Sequence, residues 1–164
     1  MKHLAICLTV LTTLYGFSQK KFSKLLDQYN NESIPYITVS ELKQVKTDVI
    51  LLDSREQKEF DISHLKNAIC VGYNSFNLDD VKEKLPDKKS KIVVYCSLGI
   101  RSEDISEKLK EAGYTNVYNL YGGIFEWKNN GLEVLNLQEK STDSIHTFSK
   151  AWSKWLKKGI KVYE

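Results

Sequence analysis

Short apolar runs alternate with amphipathic stretches along most of this chain. Residues 49–53 (VILLD) and 91–96 (KIVVYC) are nearly uniform in apolar character, the pattern of strands buried on both faces. Residues 68–71 (AICV) and 115–120 (TNVYNL) read as two more strands, and IPYITVSEL, from Ile34, as a strand passing into a helix. That helix is expected to be capped by Ser40, with Leu42 and Val45 inward. A short helix is predicted from Gln57 to Ile62, and another at 78–85 (LDDVKEKL), capped by Asn77 and ended by Pro86. Ile105, Leu109 and Ala112 form a helical stripe stopped by Gly113, with Glu103 and Asp104 at its start and Lys108 and Lys110 near its end, as the helix dipole favours. Strands alternating with helices in this way predict an α/β fold. Its core is a mainly parallel five-stranded sheet with helices on both faces and ligands at the carboxyl ends of the strands.

One strand end carries chemistry. KIVVYC breaks at once into SLGIRS, which sets Cys96 at the end of a strand and Arg101 five positions later, with a helix directly behind. A loop this short lets successive backbone N–H groups turn inward, with Gly99 supplying conformational freedom. Helix-start amides and the Arg101 charge both favour an ionised sulfur, an environment that brings a thiol from about 8.5 to below 7. Cys96 is therefore the candidate nucleophile. Ser97, Leu98, Gly99, Ile100 and Arg101 are the candidate donors of backbone N–H groups to a bound anion. Arg101 either points into this ring or braces it from outside, and its charge helps a thiolate in both poses.

Three separated stretches, VILLDSREQKEFDISHLKNAICV (49–71), CSLGIRS (96–102) and LYGGIFEW (120–127), come in the order and spacing of a single rhodanese domain, and the chain resembles the rhodanese-like sulfurtransferases over residues 37–134. The resemblance implies that Cys96 attacks the outer sulfur of a donor such as thiosulfate and carries that sulfur as a persulfide to a thiol or cyanide acceptor. It also implies that Asp53, Arg55, Glu59 and His64 support the sheet edge and the loops around the pocket. His64 as a general base is the weaker reading, since a thiolate held by amides needs none. Lys66 and Asn67 stand where the family often has Pro and Gly, which puts the local turn in doubt. Related folds perform phosphatase or arsenate reductase chemistry with a loop one residue longer. The four residues between Cys96 and Arg101 make a ring too small for a tetrahedral oxyanion over the sulfur. A redox or sulfur-relay module acting on one protein partner stays open as the alternative.

The chain ends add two expectations. Lys2 and His3 precede an apolar stretch from Leu4 to Tyr15, and Gly16 and Ser18 offer small side chains before Gln19, so residues 1–18 read as a cleaved signal peptide and the protein as periplasmic or secreted. Export leaves Cys70 and Cys96 in the mature chain. Cys70 is expected to be a small buried apolar side chain, not a disulfide partner, and some protein reductant or sulfur acceptor must then keep Cys96 active. Residues 19–36 are expected to be a helical segment, 37–136 the rhodanese-like domain and 137–164 a helical extension. In that extension Phe148, Trp152, Trp155 and Leu156 share one helical face and Lys150, Lys154, Lys157 and Lys158 the other. This basic amphipathic helix is expected to pack on the domain, with a membrane surface or a partner as the less favoured destination.

Composition narrows the classes. At 164 residues and 41% hydrophobic content the chain can bury one good core. A net charge of +3 makes no electrostatic case for nucleic acid. No apolar run approaches the ~20 residues of a membrane span, so the body is expected to be soluble. Three scattered histidines, His3, His64 and His146, supply no metal site, and no cofactor is expected.

Overall fold

The computed structural model describes residues 20–45 and 48–163. Two units are distinguished, 1–32 and 33–164. In the first, residues 20–29 form helix α1, where Asn30 N–H donates to the Leu26 carbonyl at 2.8 Å. Of the predicted helical segment 19–36, residues 30–35 are not helical and Tyr36 already belongs to a strand. The predicted signal peptide, 1–18, lies outside the described residues.

Among the described residues of the second unit, five strands form one parallel sheet: β1 (Tyr36–Ile37), β2 (Ile50–Asp53), β3 (Ile69–Cys70), β4 (Ile92–Tyr95) and β5 (Val117–Leu120), in the order β1-β5-β4-β2-β3. In register, Asp53 stands opposite Tyr95 on one side and Cys70 on the other. The carboxyl ends of β2, β3 and β4 therefore lie level, and β2 separates Cys70 from the strand that ends at Cys96.

Helices α2 (Val39–Gln44), α3 (Gln57–Ile62), α4 (Leu78–Lys84), α5 (Arg101–Glu111) and α6 (Gly123–Asn129) link or follow these strands. Ile92 and Val94 of β4 join Leu52, Val81, Ile105, Leu109 and Val117 in one cluster, which seats α4 and α5 on one face. The two-residue alternation sends Tyr95 to the other face, where its hydroxyl accepts the Leu65 N–H at 3.1 Å. The α2 cap is Thr38, not Ser40. Glu41 N–H donates to Thr38 Oγ1 at 3.2 Å and Thr38 N–H to Glu41 Oε2 at 2.8 Å, a capping box that starts the helix two residues early. Asn77 does cap α4, accepting the Asp79 N–H at 3.0 Å. Asn67, standing in for the family's glycine, takes φ 61°, the left-handed conformation asparagine tolerates better than most residues, and so the turn is made.

The C-terminal segment corrects the sequence reading. Among the described residues no amphipathic helix forms there; after β6 (Val134–Leu135) come β7 (Ser141–Thr142), β8 (Ser144–His146), a 3-10 turn (Ser153–Trp155) and β9 (Ile160–Val162). β7 pairs antiparallel with β6, and β8 parallel with β9. Pairing with β9 holds residues 144–146 extended, and Phe148 at φ 61° breaks any helix through it. Burial follows this geometry. Ile145 and Leu156 are buried, Trp152 and Trp155 half-buried, and Phe148 exposed. The segment is tied down nonetheless, by Lys128 Nζ to Asp143 Oδ1 at 2.6 Å and by Asn129, which bonds the backbone of Trp155 and Lys157.

Candidate active site

β4 delivers Cys96 to the top of the sheet, residues 97–100 make the turn, and α5 starts at Arg101. Two neighbouring elements fix the loop. The α6 amides of Ile124 and Phe125 donate to the carbonyls of Cys96 (2.9 Å) and Ser97 (3.2 Å). From β5, Asn119 Nδ2 donates to the Gly99 carbonyl at 2.8 Å. In a trans peptide the N–H points opposite to the C=O. Anchoring these three carbonyls therefore turns the N–H groups of Ser97, Leu98 and Ile100 the other way, as an anion cradle requires. Gly123 makes the close approach possible: at φ 53°, a Cβ there would fall 2.2 Å from the Cys96 carbonyl oxygen.

Cys96 Sγ accepts the Gly99 N–H at 3.1 Å. The Ser102 hydroxyl lies 3.6 Å from Sγ and 2.7 Å from Asn119 Oδ1, and its one proton serves one acceptor at a time. Burial pushes the thiol up, but the Arg101 charge, the Ser102 hydroxyl and the Gly99 and Ser102 amides outweigh it and leave Cys96 below its ordinary value. Cys70 differs. Burial and the nearby Asp53 push that thiol up to about 11, and both cysteines are free.

Arg101 turns sideways. Its Nη1 and Nη2 donate to the two Glu59 oxygens at 2.6 and 2.8 Å, and Nη2 lies 3.2 Å from Ser97 Oγ. Burial pushes the Glu59 carboxyl up, yet the Arg101 hydrogen bonds and charge outweigh it, so Glu59 stays a carboxylate. His146, from β8, brings Nδ1 to 3.7 Å from Glu59 Oε1, and the Phe148 ring lies over the Arg101 guanidinium at 4.9 Å. Tyr73, after β3, donates to Asp104 Oδ2 at 2.5 Å and feels the charges of Cys96 and Arg101.

The remaining predicted residues form two clusters of their own. Asp53 and Arg55, fully buried, make a forked pair at 2.6–3.2 Å, and Arg55 Nη2 reaches the Ser63 carbonyl at 2.6 Å, tying the end of β2 to the end of α3. The His64 ring stacks on Phe60 with centroids 4.0 Å apart, its Nδ1 lies 3.1 Å from the Phe60 carbonyl and its Nε2 3.4 Å from Glu139. Of the four support residues, Glu59 alone joins the cysteine loop, through Arg101 and through the Ser97 hydroxyl, which donates to Glu59 Oε1 at 3.5 Å. Sequence reasoning missed Ser102, Asn119, Tyr73, His146 and Phe148. Asn119 carried a signal, a polar side chain inside an apolar strand. The last three reach the site only through folding.

Residues 38–130 match the family described as Rhodanese-like domain. A tRNA uridine(34) hydroxylase of Listeria monocytogenes is 38% identical over 102 residues, covering 58% of this chain and 31% of that protein. The chain thus spans about a third of the length of such relatives. Thiosulfate sulfurtransferase GlpE of Coxiella burnetii is 35% identical over 83 residues, 51% of this chain and 75% of the relative. Among solved structures, a thiosulfate sulfurtransferase of Pseudomonas aeruginosa aligns over 82% of this chain and 25% of its own, with TM-score 0.60 and 21% identity, a likeness of fold. A second, the rhodanese-related protein of Thermoplasma volcanium, aligns over 62% of this chain and 97% of its own, at TM-score 0.53 and 27% identity.

Proposed function

Since the chain belongs to the rhodanese-like domain family, we propose that it is a sulfurtransferase whose Cys96 carries the sulfur as a persulfide. The Cys96 thiolate attacks the outer sulfur of a donor such as thiosulfate. The new bond joins Sγ to that sulfur, the donor's S–S bond breaks, and sulfite leaves with the electron pair. A thiol or cyanide then takes the outer sulfur and returns the thiolate. The observation that carries this reading is the surroundings of Sγ: the Gly99 N–H, the Ser102 hydroxyl and the Arg101 charge all favour the anion, on the thiolate and on the persulfide that replaces it. Cleavage of residues 1–18 would put this chemistry in the periplasm or outside the cell, where a protein reductant or sulfur acceptor is also proposed. Fractionation of cells producing the full chain tests the location.

The chemistry is tested by intact mass, recorded after incubation with thiosulfate in one arm and benzenethiosulfonate in the other, beside Cys96→Ser, before and after adding cyanide. One added sulfur on the native protein only, removed by cyanide, is the expected outcome in at least one arm. No gain in either arm refutes sulfur transfer, and a mixed disulfide trapped on Cys96 by a protein partner would then favour the relay.

A further inference from the structure

Resting on this reading, we propose that the sulfur donor is a singly charged organic sulfane-sulfur compound, a persulfide or thiosulfonate with an apolar body, and that Phe148 is the residue that selects it. Two independent features of the site point there.

The first is charge. Arg101 is the one basic side chain between Cys96 and Ser102. Three of its five N–H groups are directed to Glu59 and Ser97, and the Glu59 carboxylate beside it is 1% exposed. Arg55, whose charge is felt by Glu59 and Arg101, is matched in the same way by Asp53. With Cys96 ionised, this set of groups carries a net negative charge before any donor arrives. A dianion such as thiosulfate meets no surplus positive charge there, and a monoanion meets half the repulsion.

The second is apolar surface brought to the site by the segment after residue 130. Phe148 is 54% exposed and held at φ 61°, a costly conformation for a bulky side chain. It is kept there by its own N–H, which donates to His146 Nδ1 at 3.2 Å, and by Thr147, whose N–H donates to the Val162 carbonyl at 2.9 Å. The result is a ring laid on the guanidinium that closes the loop, with much of its surface in solvent. A ring that served only the core would be buried. Held in place and open, it offers a face to the organic part of a donor.

The step balances without another reagent. Cys96 Sγ attacks the outer sulfur of R–SO2–S⁻; the Sγ–S bond forms, the bond to the sulfonyl sulfur breaks, and the electron pair leaves on the sulfinate R–SO2⁻. With R–S–S⁻ the leaving group is the thiolate R–S⁻.

The test is the ratio of kcat/KM for benzenethiosulfonate to that for thiosulfate, with cyanide as acceptor, in the full chain and in Phe148→Ala, Phe148→Tyr and Glu59→Gln. The native protein is expected to favour benzenethiosulfonate by about tenfold or more. Phe148→Ala should lose about threefold to tenfold of that ratio, the range of one aromatic contact, and Phe148→Tyr should keep it. Glu59→Gln, which leaves the Arg101 charge unmatched, should move the ratio toward thiosulfate. A native protein that prefers thiosulfate, or a ratio that Phe148→Ala leaves unchanged, overturns the inference while sulfur transfer stands. No turnover with either donor refutes the proposed function, and the inference falls with it.

Discussion

Replacing Gly123 by alanine should damage the cysteine loop from outside it. The new Cβ would lie 2.2 Å from the Cys96 carbonyl oxygen and 2.8 Å from both the Ser97 carbonyl carbon and its oxygen. All three are backbone atoms, so no flexible side chain can swing away. Bringing the closest pair out even to 3.0 Å moves the start of α6 or the loop by most of an ångström. That displacement stretches both amide bonds from α6 to the loop, Ile124 N–H to Cys96 at 2.9 Å and Phe125 N–H to Ser97 at 3.2 Å. The left-handed φ costs a non-glycine residue about 1–2 kcal/mol, and two weakened hydrogen bonds about 1–3 kcal/mol, giving a loss of about 2–5 kcal/mol. Gly113 is the matched control. Its φ is 94°, and a Cβ there meets nothing within 4 Å, so Gly113→Ala should show the backbone cost alone, about 1–2 kcal/mol. Urea unfolding of both variants measures the difference, and the alkylation rate of Cys96 reports whether the loop has moved. If Gly123→Ala is no less stable than Gly113→Ala and its Cys96 is alkylated as in the native protein, the loop does not depend on this close approach.

Two further outcomes follow from the site and the C-terminal segment. The pH profile of Cys96 alkylation should turn over below that of an ordinary thiol, and Ser102→Ala should shift it upward; Cys70 should react only near its value of about 11, and an unmoved profile in Ser102→Ala would remove the hydroxyl from the account. By linkage, a thiol depressed in the folded state stabilises the protein above the unfolded value of about 8.5, and that contribution fades as pH falls through the folded value. Truncation after Gln138 removes the buried Ile145 and Leu156, worth about 3–6 kcal/mol before the ordering entropy of the segment is subtracted. The urea midpoint should fall, and an unchanged midpoint would mean the segment adds nothing to the fold.

The sequence was most legible where one residue's chemistry depends on its immediate neighbours. A five-residue apolar run can only be a buried strand if turn signals bound it, and VILLD and KIVVYC became β2 and β4. The position of Cys96 followed from the abrupt end of such a strand, and the α5 boundaries from its charges and Gly113. Legibility failed first at the Ser40 cap, where Thr38 and Glu41 formed a reciprocal pair that outbid it. It failed more widely at residues 146–156, where aromatic residues at helical spacing were read as a helix. Pairing of β8 with β9 claimed the backbone on either side, as far as His146 and again from Ile160, and Phe148 at φ 61° interrupted what lay between; a pattern taken from one segment carries no record of the strand it will meet.

By itself, the sequence determined the fold class, the cysteine at the strand end and the family to which the loop belongs, because these rest on periodicity, turn chemistry and contiguous motifs. Only the tertiary structure decided what surrounds the sulfur. It spent the Arg101 charge on Glu59 from α3, gave Asn119 of β5 the task of holding Gly99, and brought Phe148 from a segment past the domain onto the guanidinium. Those partners lie between 20 and 47 residues from the atoms they touch. The physical reason is that electrostatic and packing contacts depend on distance in space, which the order of residues along a chain does not record.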